Sequence, residues 1–259
     1  MTNSDIISAV EARFPLSGQE SWDNSGWQCG DPSAECTGVL TCVDVTEAIL
    51  DEAKQRGCNL VVAHHPLIFN AVRSIVSDGG RVNPCVMQAI AGGISIYSSH
   101  TACDCAPGGV SYADGLLLGL ESLETLGPES GLGVIGNLPE PMPWRGFLDK
   151  VKSTFGIPCL RHSAVPDGDF TVSRVAICGG AAAEFLPLAY ERGAQAYVTA
   201  DCKHNTFPDV GRRSVILVDA GHFETEVCTK ELFYRAITEK FPNFAVWKST
   251  TEQNPVKYY

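Results

Sequence analysis

Basic residues are scarce in this chain of 259 residues, which has 19 Lys and Arg against 30 Asp and Glu and a formal net charge of -11. This charge argues against nucleic acid or an anionic membrane surface as the main partner. Long apolar runs are absent too, and no segment approaches the roughly 20 apolar residues of a transmembrane helix. The first ten residues, MTNSDIISAV, lack the basic start and apolar run of a secretory signal. We therefore expect a soluble, cytoplasmic protein.

The Cys-x-x-Cys motif is missing, although the chain contains 11 cysteines. Several of them, such as Cys42 and Cys178, lie inside apolar, strand-like runs, where a reduced thiol packs as a small hydrophobic group. Cys103 and Cys105 form the one tight pair and flank Asp104. Thiolates are strong ligands for soft metals. If Asp104 points into a site along extended backbone, however, both thiols point away from it.

Short apolar runs alternate with amphipathic helical patterns along most of the chain. This alternation predicts an α/β fold with mixed, mostly parallel sheets covered by helices. A stretch rich in glycine and proline, Gly127–Pro143, predicts a link between an N-terminal lobe at 1–126 and a C-terminal lobe at 144–259. Strands are predicted at 37–45, 59–63, 94–98, 172–178, 196–199, 214–219 and 244–247. Helices are predicted at 3–13, 46–56, 84–91, 110–120, 144–155, 181–192 and 224–240.

Three clusters of polar residues follow predicted strands directly, and ligand sites in α/β proteins gather where strands end. The clusters are His64 with His65, His100 with Asp104, and His222 with Glu226. Each has a simpler interpretation: a pair of loop histidines, a turn aspartate, and a helix-capping pair. Their recurrence at three strand ends favours convergence on one site.

The residue types in these clusters indicate a metal site. Neutral imidazole is the commonest metal ligand in proteins, and a carboxylate can bridge two cations. His222 and Glu226 are four residues apart, so a helix would place both on one face. A mixed nitrogen and oxygen set suits Zn, Fe, Mn or Co better than Mg or Ca. The number of candidate ligands exceeds the need of one open catalytic zinc, so we expect two divalent ions per chain.

Another candidate is the Gly179-Gly180 pair, which is predicted to join a strand to a helix. Such turns can bind phosphate at the helix N-terminus, but the pair falls short of a full phosphate-loop motif, and a plain tight turn is the favoured interpretation.

The motifs, taken together, resemble those of the Nif-three-like dinuclear metal protein family, whose members are also called type 2 homologues of GTP cyclohydrolase I. The matching stretches are Trp22–Gly26, Asp44–Thr46, Ala63–Leu67, Ser99–Thr101 with Asp104, Ala106–Gly109, Gly133–Pro141, Cys178–Gly180, Asp219–His222 with Glu226, and Asn254–Val256. They occur in order over nearly the whole chain.

The resemblance implies metal ligands at His64, His65, Asp104, His222 and Glu226, and it places His100 at or beside the site. It also implies two α/β lobes that face a central metal-binding cleft, and a ring-shaped homohexamer. The chain departs from the family at Thr199–His204, where Ala200 replaces a common glycine and Cys202 replaces a bulkier residue. His204 remains a candidate residue of the cleft.

Our functional prediction is metal-dependent hydrolysis of a small molecule such as a nucleotide or another phosphoester. The second name of the family adds GTP cyclohydrolase-type activity to this prediction. His100 and His204 are the candidate proton carriers, because histidine titrates near neutral pH. Two alternatives remain open: a non-catalytic metal-binding or metal-insertion protein, and a regulatory scaffold in which the ions serve stability.

Overall fold

The computed structural model describes residues 1–166, 168–210 and 214–259, and these divide into two compact units. Unit 1 comprises Met1–Ala106 and Thr229–Gln253, and unit 2 comprises Pro107–Cys228 and Asn254–Tyr259. Each unit is built on a mixed sheet with helices, so the predicted α/β class is confirmed.

Unit 1 contains a five-stranded sheet with the order β1-β4-β3-β2-β11. Its strands are β1 (Gly26–Cys29), β2 (Val39–Cys42), β3 (Leu60–Ala63), β4 (Ser95–Ser98) and β11 (Val246–Lys248). Its helices are α1 (Asn3–Arg13), α2 (Glu47–Gln55), α3 (Val82–Ala91), α4 (Thr101–Asp104) and α10 (Thr229–Lys240). Only the edge strand β1 is antiparallel to its neighbour, so β2, β3 and β4 end at the same edge of the sheet.

Both faces of this sheet are buried, which explains why its strands read as continuous apolar runs. Leu40, Val61 and Ile96 pack in one cluster with Ile49 of α2 and Val86 of α3. The α2 helix begins at the predicted cap, where the Thr46 hydroxyl accepts a hydrogen bond from the Ile49 amide at 3.3 Å. The parallel pairing of β2, β3 and β4 brings the ends of these three strands to one edge of the sheet.

Unit 2 contains a six-stranded sheet with the order β5-β6-β8-β9-β10-β7. Its strands are β5 (Glu121–Thr125), β6 (Val134–Pro143), β7 (Arg161–His162), β8 (Thr171–Ala181), β9 (Ala196–Ala200) and β10 (Ile216–Asp219). Its helices are α5 (Val110–Leu117), α6 (Trp144–Phe155), α7 (Leu186–Glu191), α8 (Thr206–Val210) and α9 (His222–Glu226). Only the β8–β9 and β9–β10 pairs are parallel, so parallel pairing predominates in unit 1 but not here.

The predicted link at Gly127–Pro143 is wrong for most of its length, because Val134–Pro143 is the strand β6 in the six-stranded sheet. Its Pro139 and Pro141 lie where the pairing register with β8 shifts, between Asn137 and Met142. Proline is tolerated at such irregularities because no ladder hydrogen bond is lost there. The units accordingly change at Ala106, Cys228 and Gln253 rather than at this segment.

Two predicted helices also differ from the structure. The helix predicted over 224–240 is two helices, α9 and α10, which are separated at Val227 and Cys228. The helix predicted over 181–192 begins as an α-helix only at Leu186, because β8 continues to Ala181. Across the residues that the structure describes, no helix is both long enough and apolar enough to cross a membrane.

Candidate metal centre

A cluster of three histidines lies in unit 1 at the edge where β3 and β4 end. His64 and His65 follow β3, and His100 follows β4 by two residues. The His64 and His65 amides still donate to carbonyls at the end of β2, those of Cys42 at 3.1 Å and Val43 at 2.9 Å, so the backbone here is an extension of the sheet. One ring nitrogen of each histidine lies within 4.8 Å of one in each of the other two. The structure thus brings together two clusters that the sequence placed at separate strand ends.

The Nδ1 atom of each ring in this cluster contacts an oxygen that can only accept a hydrogen bond. Nδ1 of His64 lies 3.2 Å from the Ser99 carbonyl, that of His65 lies 3.3 Å from Asp44 Oδ1, and that of His100 lies 2.8 Å from Asp23 Oδ1. In the neutral ring the proton is therefore on Nδ1, and Nε2 has the lone pair that a metal requires. Oxygen partners of this kind orient the histidine ligands of metal sites.

Asp23 holds its position through a dense set of hydrogen bonds. Its side chain is fully buried and accepts from the Thr101 amide and hydroxyl at 3.0 and 2.6 Å, and from the Ser25 hydroxyl at 2.8 Å. Burial alone would raise the pKa of Asp23, but the hydrogen bonds from His100, Thr101 and Ser25 lower it well below its usual value. Asp23 is consequently a fixed negative charge behind His100.

Asp44 has the corresponding position behind His65. Its Oδ1 also accepts from Arg81 at 3.2 Å. The Glu252 carboxylate accepts from the Val43 and Asp44 amides at 2.9 and 2.8 Å, and so fixes the chain where β2 ends. No role was predicted for Asp23 or Asp44 from the sequence, although both lie in stretches that carry the family resemblance. For Asp44 the missed signal was available, because it follows a strand exit as the histidines do.

Asp104 also lies at this cluster, with its Oδ1 3.7 Å from Nε2 of His64. It is the last residue of the short helix α4, so the condition of extended backbone, under which both flanking thiols would point away from the site, is not met. Cys103 is buried beside it. Burial, followed by the negative charges of Asp104, Glu20 and Asp23, raises the pKa of Cys105 to about 12. These surroundings favour the protonated thiol, which is a weaker metal ligand than the thiolate.

A second set of ligand-type side chains lies in unit 2, on the helix α9. Nε2 of His222 is 3.0 Å from Oε2 of Glu226, four residues further on. Nδ1 of His222 donates to Oδ2 of Asp201 at 2.7 Å. The 3.0 Å between His222 and Glu226 is the distance of a hydrogen-bonded ion pair, and two ligand atoms of one tetrahedral zinc ion lie only slightly further apart, at about 3.4 Å. The predicted pairing of His222 and Glu226 on one helical face is therefore confirmed.

The Gly179-Gly180 pair makes room for α9. Both glycines lie within β8, so they do not form the strand-to-helix turn that would bind phosphate. A Cβ atom on Gly180 would lie 2.1 Å from Oε1 of Glu226, and the backbone there is left-handed, with φ +66°. A Cβ on Gly179 would lie 2.8 Å from the Thr225 carbonyl. The two glycines thus allow the Glu226 carboxylate to approach the strand.

His204 is exposed in the turn after β9. Within the described part of unit 2 its side chain makes no hydrogen bond or ion pair with His222, Glu226 or Asp201. Its suggested role as a proton carrier stays a prediction.

These donor sets suit a transition metal rather than Mg²⁺ or Ca²⁺, because imidazole nitrogen predominates and carboxylates supplement it. In unit 1 the three histidines and Asp104 could hold a metal ion, with Ser99, Asp44 and Asp23 orienting the rings. In unit 2 His222 and Glu226 supply one nitrogen and one oxygen. The ligand chemistry therefore fits a divalent transition metal.

Comparison with known proteins gives one consistent family. The profile described as Duf34/NIF3 (NGG1p interacting factor 3) matches residues 1–255. A protein of Lactococcus lactis named GTP cyclohydrolase 1 type 2 homolog is 32% identical over 261 residues, which cover 98% of both chains. A protein of the same name from Nostoc sp. is 35% identical over 221 residues, which cover 80% of this chain and 83% of the relative.

Solved structures share the fold. Protein SA1388 of Staphylococcus aureus superposes with a TM-score of 0.91 at 27% identity, over 100% of this chain and 99% of that one. A Bacillus cereus protein related to NIF3 superposes with a TM-score of 0.93 at 24% identity, again over 100% and 99% of the two chains.

Proposed function

The chain belongs to the Duf34/NIF3 family, and from this membership and the ligand chemistry we propose that it is a metal-dependent hydrolase of a nucleotide or another phosphoester. The observation that carries the proposal is the cluster of His64, His65 and His100, in which every Nδ1 contacts an accepting oxygen. The three rings also bring one potential ligand atom each to within 4.8 Å of one another, which is the arrangement that a transition-metal ion needs.

We assign His64, His65 and Asp104 of unit 1, and His222 and Glu226 of unit 2, as ligands for two divalent ions per chain, of Zn, Fe, Mn or Co. Such ions supply Lewis-acid polarisation of a phosphoryl or carbonyl oxygen and activation of water. The protein contributes the orientation of its rings through Asp44, Asp23 and Asp201, which restrict each imidazole to one tautomer.

His100 is the proton carrier in this proposal. Asp23 holds its Nδ1–H at 2.8 Å and orients the ring, so Nε2 is the atom that accepts or returns a proton. Its side chain is 16% exposed, which gives this atom a route to water. In His100→Ala we expect the metal to be retained and turnover to be lost. Loss of metal in this variant would assign His100 as a further ligand instead.

Relatives named GTP cyclohydrolase 1 type 2 homolog support GTP as the first substrate to test. Hydrolysis of GTP can be followed both by phosphate release and by opening of the guanine ring. A panel of nucleoside triphosphates and simple phosphomonoesters completes the screen.

Elemental analysis tests the metal assignment before any substrate is known. We expect about two equivalents of a transition metal in the wild type and less in His65→Ala and Glu226→Ala. His162→Ala is the matched control, because His162 is an exposed histidine on β7. Metal content that is substoichiometric in the wild type and the same in all variants would contradict the proposal. Full metal content without turnover on any substrate would favour a metal-binding or metal-insertion protein.

A further inference from the structure

Two large aromatic side chains lie exposed beside the histidine cluster of unit 1. Trp22 is 58% exposed and Phe69 is 48% exposed. The ring centroid of Trp22 is 6.0 Å from that of His100, and the Phe69 centroid is 6.3 Å from it. Single exposed apolar residues are common on protein surfaces and need no explanation. Trp22 and Phe69, however, both contact His100, a candidate active-site residue, and this arrangement requires an explanation.

The backbone that carries these two rings is fixed from both sides. Asp23, the residue after Trp22, is buried and held by the hydrogen bonds described above. The Asn24 side chain donates to the Ile68 carbonyl at 2.6 Å, and the Gln28 side chain accepts from the Ile68 amide at 3.0 Å. The segments of Trp22 and of Phe69 are therefore tied to each other directly. The two rings are exposed but preorganised, and preorganisation is what lowers the entropy cost of binding a ligand.

The angle between the planes of the Trp22 and Phe69 rings determines which ligands can bind to them. Trp22 and Phe69 are 6.1 Å apart with their planes at 60°, so they form an open corner. A planar ring that stacks on one of them meets the other at a steep angle, and both arrangements are favourable for aromatic pairs. This corner presents apolar ring faces and aromatic edges to a ligand. It is suited to a flat, apolar face with polar edges, as in a heteroaromatic base.

We propose that Trp22 and Phe69 form a binding surface for a planar heteroaromatic ring of the substrate, such as a nucleobase. This inference rests on the proposed function, because it places the ring next to His100 while the reacting group lies at the metal ligands. In this proposal Trp22 and Phe69 select for a planar ring in the substrate and take no part in the chemistry. Stacking of this kind accepts any base, since every base has a π face.

Equilibrium binding on the metal-containing protein as purified tests the proposal without turnover. The probes are guanosine 5′-monophosphate, guanosine, and ribose 5-phosphate, which keeps the phosphate but lacks the base. We expect both ring-containing probes to bind, and ribose 5-phosphate to bind about tenfold more weakly than the nucleotide. Equal affinity for nucleotide and ribose 5-phosphate, or no binding of either ring-containing probe, would overturn the proposal.

Variants assign the effect to the two rings. Trp22→Leu and Phe69→Leu should each weaken nucleotide binding about tenfold and leave ribose 5-phosphate binding and metal content unchanged. Trp22→Phe, which keeps an aromatic face, should restore most of the affinity and guards against misfolding of Trp22→Leu. Tyr112→Ala removes an aromatic ring that is 40% exposed on α5 and should have no effect. Unchanged affinity in both leucine variants would refute the assignment.

A second copy of the chain is the rival occupant, because the exposed side chains of Val72, Ile75 and Val76 follow Phe69 along the chain. Light scattering distinguishes the two possibilities. If Trp22→Leu and Phe69→Leu lower the molar mass of the assembly, the rings form a contact between copies and the ring-binding proposal is wrong. Failure of the metal assignment would be seen separately, as unchanged metal content in His65→Ala and Glu226→Ala.

Discussion

Nδ1 of His222 donates a hydrogen bond of 2.7 Å to the carboxylate of Asp201, whose own backbone lies in the left-handed region at φ +51°. A non-glycine residue in this region costs about 1 kcal/mol and persists only where its surroundings impose it. Here the next residue is fixed, because Asp219 accepts from the Cys202 amide at 3.0 Å and Arg161 donates to the Cys202 carbonyl at 3.2 Å. This strained backbone conformation positions the Asp201 carboxylate at Nδ1 of His222, a candidate metal ligand.

Asp201→Ala should therefore weaken metal binding. Removal of a partner that orients a ligating histidine typically costs about 10- to 100-fold in metal affinity, and we expect a loss in this range. Competition with a chromophoric chelator measures it. Asp209→Ala, which removes an exposed aspartate from α8, is the matched control. Equal metal affinity in the two variants would show that Asp201 does not support His222.

Gly180→Ala should displace the Glu226 carboxylate and lower the metal content. The added Cβ would lie 2.1 Å from Oε1 of Glu226, and the left-handed φ of +66° adds strain. Gly156→Ala separates these two effects, because Gly156 has a φ of +65° and open space around its Cβ position. Both variants should lose about 1 kcal/mol of stability through strain, but only Gly180→Ala should lose metal. Full metal content in Gly180→Ala would remove Glu226 from the ligand set.

Much of the candidate site could be predicted from sequence because its residues obey a simple rule. His64, His65 and His100 follow apolar strands that run parallel in one sheet, so their side chains meet at one edge. The orienting residues could be predicted less well. Asp201 and Asp23 lie in irregular loops, and no periodic pattern indicates which ring a loop carboxylate will contact.

The strands β5 and β6 were not predicted, because their residues lack the apolar pattern of a buried strand. The edge strand β5 is exposed along most of its length and has Glu121 and Glu124 among its residues, so it has no apolar pattern to detect. The strand β6 carries prolines that usually indicate a loop, and these are accommodated where its register with β8 shifts. Helix α6, by contrast, was predicted at its observed bounds, because its amphipathic pattern is complete and Gly156 ends it in a left-handed conformation.

The cysteines should react in the order of their exposure. Cys159 is the exposed one, whereas burial raises the pKa of Cys29 and Cys36 to about 11 and that of Cys202 to about 12. At pH 8 a short pulse of iodoacetamide on the folded protein should label Cys159 first, because the thiolate is the reactive form. Peptide mass mapping measures this, with Cys159→Ser as the control that should remain largely unlabelled. Early labelling of the buried thiols would contradict their structural role.

Glu52 of α2 connects that helix to the chain after β11. Its carboxylate accepts from the Ser249 hydroxyl at 2.6 Å, from the Thr250 amide at 3.1 Å and from the Thr251 amide at 3.2 Å, and Arg56 donates to it at 2.9 Å. Burial alone would raise the pKa of Glu52, but these hydrogen bonds together lower it to about 2. Because the folded-state pKa lies below the unfolded value, the ionised carboxylate stabilises the fold above the unfolded pKa.

This stabilisation should be lost as the pH falls from the unfolded pKa of Glu52, about 4.5, towards its folded pKa of about 2. Glu52→Gln should lower the free energy of unfolding by about 2 kcal/mol at pH 7, since hydrogen bonds to a charged group are lost. The gap between wild type and variant should narrow at pH 3. Urea denaturation at both pH values measures it, and the difference between the two proteins removes effects common to both, such as metal release.

Glu239→Gln, which removes an exposed partner of Arg13, should change stability little at either pH. If the difference in the free energy of unfolding between wild type and Glu52→Gln is the same at pH 7 and pH 3, these hydrogen bonds do not lower the pKa of Glu52.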